Sequence, residues 1–283
     1  MPSIHGSPRS RLVNSHRRTP LHTLFVAVVT TLLGTACASN EAETADEWTP
    51  LFNGENLTGW TLKITGQELG EDPWNTFRIE DGLLTVNYEN YDTFDNRFGH
   101  LFYEEPYSHY ELQVEYRFLD PQVPGAPDWA FKNSGIMFHS QSPETMLTDQ
   151  QFPISLEAQL LGGNGTDERP TANLCTPGTH VEIDGALVEQ HCITSSAPTI
   201  HTDEWVTLDL LVLGDSLIAH IMDGDTVMMY TRPVIGGADS AELAAAGLED
   251  GQAVTGGYIA LQSESHPIQF RQVLIRRLPT QRR

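Results

Sequence analysis

DWAFKNSGIMFHSQSPETMLTDQQFPISLEAQLLGG, residues 128–163, holds two runs of alternating apolar and polar side chains around a loop of about a dozen residues. In the first run Ile136 and Phe138 point one way, and Met137 and His139 the other. In the second, Ile154, Leu156, Ala158 and Leu160 share a face and leave Ser155, Glu157 and Gln159 on the opposite one. A side-chain period of two predicts paired strands with one face in a core and the other turned to water or ligand. That second face is expected to carry His139, Glu157 and Gln159, an acid/base and ligand-binding set. Lys132 enters just ahead of it. The chain has one other lysine, Lys63, so Lys132 is not generic surface charge.

The same pattern extends outward in both directions. Asp81-Gly82 sits between Phe77-Arg78-Ile79 and Leu83-Leu84-Thr85-Val86, a hairpin signature. In YELQVEYRFLD, Leu112, Val114, Tyr116 and Phe118 alternate with Glu111, Gln113, Glu115 and Arg117. WVTLDLLVLG and SLIAHIMDGDTVMMY form a further pair, the latter with an Asp223-Gly224 turn, and one short acidic helix is expected over residues 240–246. About a dozen short strands, one helix, no internal repeat and no linker after residue 47 predict an all-β fold. Its form is an antiparallel β-sandwich of jelly-roll type over residues 48–283.

Charge excludes one class of partner. The chain carries 38 acidic and 16 basic residues, a formal charge of −22. Four of the arginines precede Cys37, and without that segment the balance falls to about −26. Such a surface repels phosphate backbones and anionic membranes, so no nucleic acid partner is expected.

The first 36 residues read as an address. Arg17-Arg18 is followed by an apolar run over residues 24–33 and then by Gly34-Thr35-Ala36-Cys37. This is a signal peptide whose apolar stretch is too short to span a bilayer. Cysteine after small residues is similar to a bacterial lipoprotein box, although Gly34 stands where leucine is usual. The expectation is a lipidated Cys37 and an acidic tether over residues 38–47. The protein is then exported, as a periplasmic, outer-membrane or cell-surface lipoprotein that meets the membrane only through its lipid anchor. Cys175 and Cys192 remain, an even pair in an oxidising compartment, and a disulfide is expected between them. Neither lies in a CxxC pair, which weakens a metal-binding or nucleophilic role.

LFNGENLTGW, FKNSGIMFH, ISLEAQLLGG, ANLCTPGTHVEIDG, EWVTLDLLVLG and GYIALQSESHPIQFRQVLIRRL, in this order, resemble the 3-keto-disaccharide hydrolase domain family over residues 49–278. The resemblance implies a concanavalin A-like jelly roll and cleavage of glycosides whose glucose bears a ketone at C3. It departs from the family at His139, where many members carry arginine, and at Gln272, where many carry asparagine. A C3 carbonyl acidifies the C2 proton, so a base can remove it and the enolate can expel the C1 oxygen, after which water adds back. That chemistry needs a base, an electrophile for the enolate and an acid for the leaving group. The resemblance also implies a sugar 3-oxidoreductase that supplies the oxidised sugar.

Glu157 is the leading base or metal ligand. His139 and His180 are candidates either for the acid or for ligands that join it around one divalent metal ion, since imidazole and carboxylate suit such ions and the metal would hold the enolate. No HxH or HExxH spacing supports this set, and Lys132 is the alternative enolate contact. Gln159, Gln262, His266 and Trp129 are candidate sugar contacts, with Trp129 and Trp74 possible stacking platforms. His191, His201 and His220 read as surface or hydrogen-bonded core histidines. Residues 182–187, EIDGAL, start like the E-I-D-x-x-E signature of laminarinase-type glucanases, but Leu187 replaces the second glutamate. A non-catalytic carbohydrate-binding module on the same sandwich is the competing reading, because fold alone does not decide function.

Overall fold

Burial follows the alternation of YELQVEYRF residue by residue: Tyr110, Leu112, Val114, Tyr116 and Phe118 are buried, and the side chains between them are half-exposed. The computed structural model describes residues 47–280; the signal peptide, Cys37 and nearly all of the tether lie outside the described residues. Seventeen strands occur in the described part. The first six are β1 (Thr49–Pro50), β2 (Trp60–Ile64), β3 (Phe77–Glu80), β4 (Leu83–Val86), β5 (Gly99–Tyr103) and β6 (His109–Phe118). Next come β7 (Asn133–Ser140), β8 (Leu156–Leu161), β9 (Asn173–Cys175), β10 (Thr179–Ile183), β11 (Ala186–Val188) and β12 (Cys192–Ile193). The last are β13 (Val206–Leu213), β14 (Ile218–Met222), β15 (Asp225–Ile235), β16 (Tyr258–Ser263) and β17 (Ile268–Arg277). The expected dozen undercounts because β1, β9, β11 and β12 have only two or three residues, too few for alternation to register.

The strands form two antiparallel sheets, as the jelly-roll reading requires. One has ten strands in the order β11-β10-β15-β14-β13-β6-β17-β4-β3, with β1 beside β17. The other has seven, in the order β12-β9-β8-β7-β16-β5-β2. The core between them is built from the apolar positions of both, among them Leu112, Val114, Ile136, Phe138, Leu156, Ala158, Leu210 and Leu261. His220 belongs to this core. Its Nδ1–H donates to the Ala172 carbonyl at 2.9 Å, and its Nε2 accepts from the Tyr230 hydroxyl at 3.1 Å. The helix α1 (Ser240–Ala246) falls where expected. Asp239 caps it by accepting from the Ala241 amide at 2.7 Å, and Gly247 ends it at φ 65°, a left-handed turn that glycine adopts freely.

The outer faces of the two sheets differ, and that difference locates the site. On the ten-stranded sheet the outward residues pair with each other: Arg271 with Glu115, Arg276 with Glu111, Gln113 with Asp209, and Arg117 with Gln269. Such a solvated ladder contributes little energy per pair and leaves little free to meet a ligand. On the seven-stranded sheet the outward polar groups are buried and partly unpaired.

Cys175 and Cys192 sit directly opposite each other on β9 and β12 and form the expected disulfide, S–S 2.09 Å. It ties β12, the two-residue edge of the seven-stranded sheet, to β9. The chain-entropy model gives about 3 kcal/mol for a loop of this length. Cys175→Ser/Cys192→Ser should therefore lower stability by about 3 kcal/mol in urea unfolding; an unchanged midpoint would mean that the edge is held by other contacts.

Candidate active site

Strand register assembles the site. Asn173 pairs with Gln159, Gln159 with Gly135, Gln262 with His100 and His100 with Lys63. Because β7 and β16 pair Ile136 with Leu261, the next outward step joins Gly135 to Gln262. One row across the outer face of the seven-stranded sheet thus reads Asn173, Gln159, Gly135, Gln262, His100, Lys63. The neighbouring outward row reads Cys175, Glu157, Met137, Ala260, Phe102, Thr61. Between these rows lie Leu174, Ala158, Ile136, Leu261, Leu101 and Leu62, facing the core. A strand presents successive side chains to opposite faces, so one register sorts all three rows.

Over this face opens a cavity of about 380 Å³. Glu157, Glu264, Asn133 and Gln159 supply its polar lining, and Trp129 and Phe152 its aromatic walls. The disulfide, Pro177 and His191 close the remaining side. Glycine at 135 makes room for the acid: a Cβ there would meet Glu157 Oε1 at 2.5 Å, Cγ at 2.7 Å and Cδ at 2.9 Å. Glu157 therefore leans across β7 over Gly135, toward β16 and Glu264.

The two carboxyl groups face each other's field in a dry environment. Glu157 is 6% and Glu264 4% exposed. Burial pushes Glu157 up to about 8, and burial together with the neighbouring Glu157 charge raises Glu264 well above the carboxylate range. Both carboxyls are thus raised, and because like charges this close resist ionising together, the pair retains a proton well above the usual carboxylate range. Two carboxyls that share a dry site in this way can act as base and acid, one ionised while the other keeps its proton. Several buried polar atoms here have no protein partner: Glu264 Oε2, Asn133 Oδ1, both amide atoms of Gln262, and His100 Nε2. Buried groups of this kind are normally hydrogen-bonded; Glu264 and Asn133, which line the cavity, are the ones poised for a polyhydroxylated ligand or water, whereas Gln262 and His100 lie beneath it. Burial, with the Lys63 charge added, holds His100 down at about 3, so its ring is neutral.

Several residues expected from the sequence fall elsewhere. His139 does not stay on the face of Glu157. The β7–β16 register shifts between Tyr258 and Ala260, and His139 has φ 49°. The bulge re-aims the side chain toward the ten-stranded sheet, where its Nε2 lies 3.1 Å from the Gly214 carbonyl. Burial depresses its pKa to about 4. His180 is on β10, in the ten-stranded sheet, packed against Gly236 and Gly237. The set His139, His180 and Glu157 is therefore not brought together, and no group of three or more His, Cys, Asp or Glu suited to a metal occurs among the described residues. These residues do not fit the expected metal site.

Lys132 is ion-paired, its Nζ 2.7 Å from Asp203 and 3.3 Å from Asp120. Burial works against its charge, but the two aspartates outweigh that and raise its pKa. His266 joins the same cluster, its Nε2 3.4 Å from Asp120 and its ring between Phe118 and Phe131. Neither lines the cavity. Gln262 lies in the polar row beside His100, whose ring is 6.1 Å from that of Phe152.

Trp129 does line the cavity, is 55% exposed and stacks on Phe98 at 6.0 Å and 13°. Trp74 packs instead against Tyr91, with Arg97 over its ring. Glu264, Asn133 and His191 are the members of the site that motif reading passes over. For Glu264 a signal exists: counting the alternation through LQSESH puts Gln262 and Glu264 on one face.

Among curated protein sequences, none matches the chain. Solved structures with a similar fold include a candidate glycosyl hydrolase from Parabacteroides distasonis, 18% identical, covering 82% of this chain and 100% of that one, TM-score 0.49. A Bacillus subtilis protein of unknown function with a galectin-like fold is 10% identical over 82% of this chain and 94% of that one, TM-score 0.49. The carbohydrate-binding module CBM66, also from Bacillus subtilis, is 13% identical over 77% and 96%, TM-score 0.46. The sequence pattern of the 3-keto-alpha-glucoside-1,2-lyase-like domain family matches residues 47–276, and the chain belongs to that family.

Proposed function

We propose that the protein cleaves 3-keto-glucosides, 3-keto-disaccharides among them, by removing the C2 proton and expelling the C1 oxygen; hydration of the product gives net hydrolysis. The family is glycoside-related. The observation that carries the enzymatic reading is the buried pair Glu157 and Glu264 in one cavity, both with raised pKa values. A carbohydrate-binding module needs aromatic platforms and hydrogen-bonding groups, and has no use for two carboxyls held out of water at the cost of their charge.

Ionised Glu157 takes the C2 proton. Protonated Glu264 hydrogen-bonds the C3 oxygen as charge develops on it, an electrophilic role that a neutral carboxylic acid can fill in a dry site. The electron pair of the broken C2–H bond passes through the enolate to form the C1–C2 double bond, and the C1–O bond breaks. Asn133 and Gln159 are suited to sugar hydroxyls. Trp129 offers a flat apolar surface held in place by Phe98. The substrate must come from a reaction that oxidises the C3 hydroxyl of a glucoside, hence from a sugar oxidoreductase acting in the same compartment. The disulfide supports an oxidising, exported location, with Cys37 as the proposed lipid anchor.

The test is turnover of a 3-keto-glucoside by the purified protein beside the same glucoside unoxidised. Release of aglycone from the keto form alone is expected. Binding of unmodified glycans with no turnover of any 3-keto-glycoside would sink the reading and favour a binding module. Trp129→Ala should raise KM roughly three- to tenfold at nearly constant kcat, since a stacking contact contributes ~0.5–1.5 kcal/mol to both bound states. A loss confined to kcat would instead put Trp129 at the reacting bonds.

A further inference from the structure

Elimination moves two protons, and the carboxyl pair accounts for only one site of transfer: Glu157 receives the C2 proton while Glu264 stays protonated against the C3 oxygen. The departing aglycone oxygen needs a proton from a third group. Apart from the two glutamates, His191 is the one titratable residue lining the cavity among the described residues, because both cysteines are joined in the disulfide. Its position differs from theirs in the useful direction. Glu157 and Glu264 are buried on the floor, whereas His191 is exposed at the rim, and the aglycone must leave toward the rim.

His191 is also held there. It directly precedes Cys192, whose disulfide to Cys175 ties the short edge strand to β9. Its carbonyl accepts from the Thr176 amide at 2.8 Å and the Thr176 hydroxyl at 3.2 Å. Two hydrogen bonds and a covalent bridge one residue away fix the backbone that carries the imidazole, which is the support a proton-transferring group needs.

Resting on the elimination reading above, we infer that His191, held at the cavity rim by the Cys175–Cys192 bridge, is the acid that protonates the departing aglycone oxygen. The step balances. The C2–H bond breaks and its proton goes to the Glu157 carboxylate. The C1–C2 double bond forms, the C1–O bond breaks with its electron pair on the aglycone oxygen, and imidazolium His191 supplies that oxygen with a proton. In hydration water gives its hydroxyl to C1 and its proton to neutral His191, and Glu157 returns its proton to C2, restoring both groups.

The experiment separates the two proton transfers. Exchange of the C2 hydrogen is read by NMR in D2O on 3-keto-1,5-anhydroglucitol, which has no C1 leaving group. Cleavage is read on methyl and on 4-nitrophenyl 3-keto-glucosides, with wild-type protein, His191→Gln and His191→Ala. Both variants should exchange C2 at the wild-type rate within about twofold and lose about 10²- to 10⁴-fold in cleavage of the methyl glucoside. They should lose less than about tenfold on the nitrophenyl glucoside, whose leaving oxygen needs no acid. Cys175→Ser/Cys192→Ser, assayed while folded by circular dichroism, should show the same dependence on leaving group. Equal losses on both glucosides, or none on either, would overturn the assignment. Failure of the wild-type protein to exchange C2 at all would instead remove the Glu157 base, and with it the reading on which the assignment rests.

Discussion

Glu157→Gln should abolish most turnover of a 3-keto-glucoside and at the same time make the protein more resistant to heat at alkaline pH. The kinetic loss follows from removing the base, which contributes about 10²- to 10⁴-fold in proton transfers of this kind. The gain in stability follows from the raised pKa. In the unfolded chain the Glu157 carboxyl ionises near its ordinary value of 4.5; in the folded protein it holds its proton up to about 8. Between those values the folded state binds more protons than the unfolded one. The stabilisation present below about pH 4.5 is therefore lost progressively as pH rises toward 8. Glutamine carries no such charge, so the melting temperature of Glu157→Gln relative to wild type should climb across that window. It should level off above pH 8, with a total on the order of a few kcal/mol. The wild-type rate of C2 hydrogen exchange, which needs only the base, should rise over the same range as Glu157 ionises. Parallel melting curves at pH 5 and pH 9, with turnover intact in Glu157→Gln, would show that this carboxyl is an ordinary structural one.

Gly135→Ala should cost about 10²-fold in kcat/KM while leaving the fold almost undisturbed. Gly135 is not among the glycines of positive φ, so alanine brings no backbone strain. What it brings is a methyl group 2.5 Å from Glu157 Oε1 and 2.7 Å from its Cγ. The carboxyl must swing aside, and a displacement of about 1 Å in a proton-transferring group is enough for a loss of this size. The double variant Gly135→Ala/Glu157→Gln distinguishes displacement from general damage. If the glycine acts only by giving Glu157 its place, adding it to Glu157→Gln should change kcat/KM little further, the non-additivity expected of two residues serving one function. Multiplicative losses, or full activity in Gly135→Ala, would mean that the present position of Glu157 is not the working one.

How far the sequence reaches is clearest along β7 and β8. The alternation in SGIMFHS and SLEAQLL is a local property of the chain, because the pleat sends successive side chains to opposite faces wherever the strand is placed. Sheet class, the outward direction of Glu157 and Gln159 and the helix over Ser240–Ala246 were legible on such local grounds, and the Cys175–Cys192 bridge from the pair of cysteines left after Cys37. His139 marks the limit. Its place in the alternation is the same as that of Met137, yet a bulge opposite β16 turns it to the other sheet. A bulge is a disagreement in length between two strands more than a hundred residues apart, and neither strand records it alone.

Glu264 and His191 are the converse case. Each has an unremarkable neighbourhood in the chain. Glu264 becomes half of a carboxyl pair only because β16 lies between β7 and β5 and brings it to the carboxyl that leans over Gly135. His191 reaches the rim only because β12, which follows it, pairs with β9. Period and composition are local and survive in the unfolded chain; register, burial and the field of one carboxyl on another exist only once distant strands have paired.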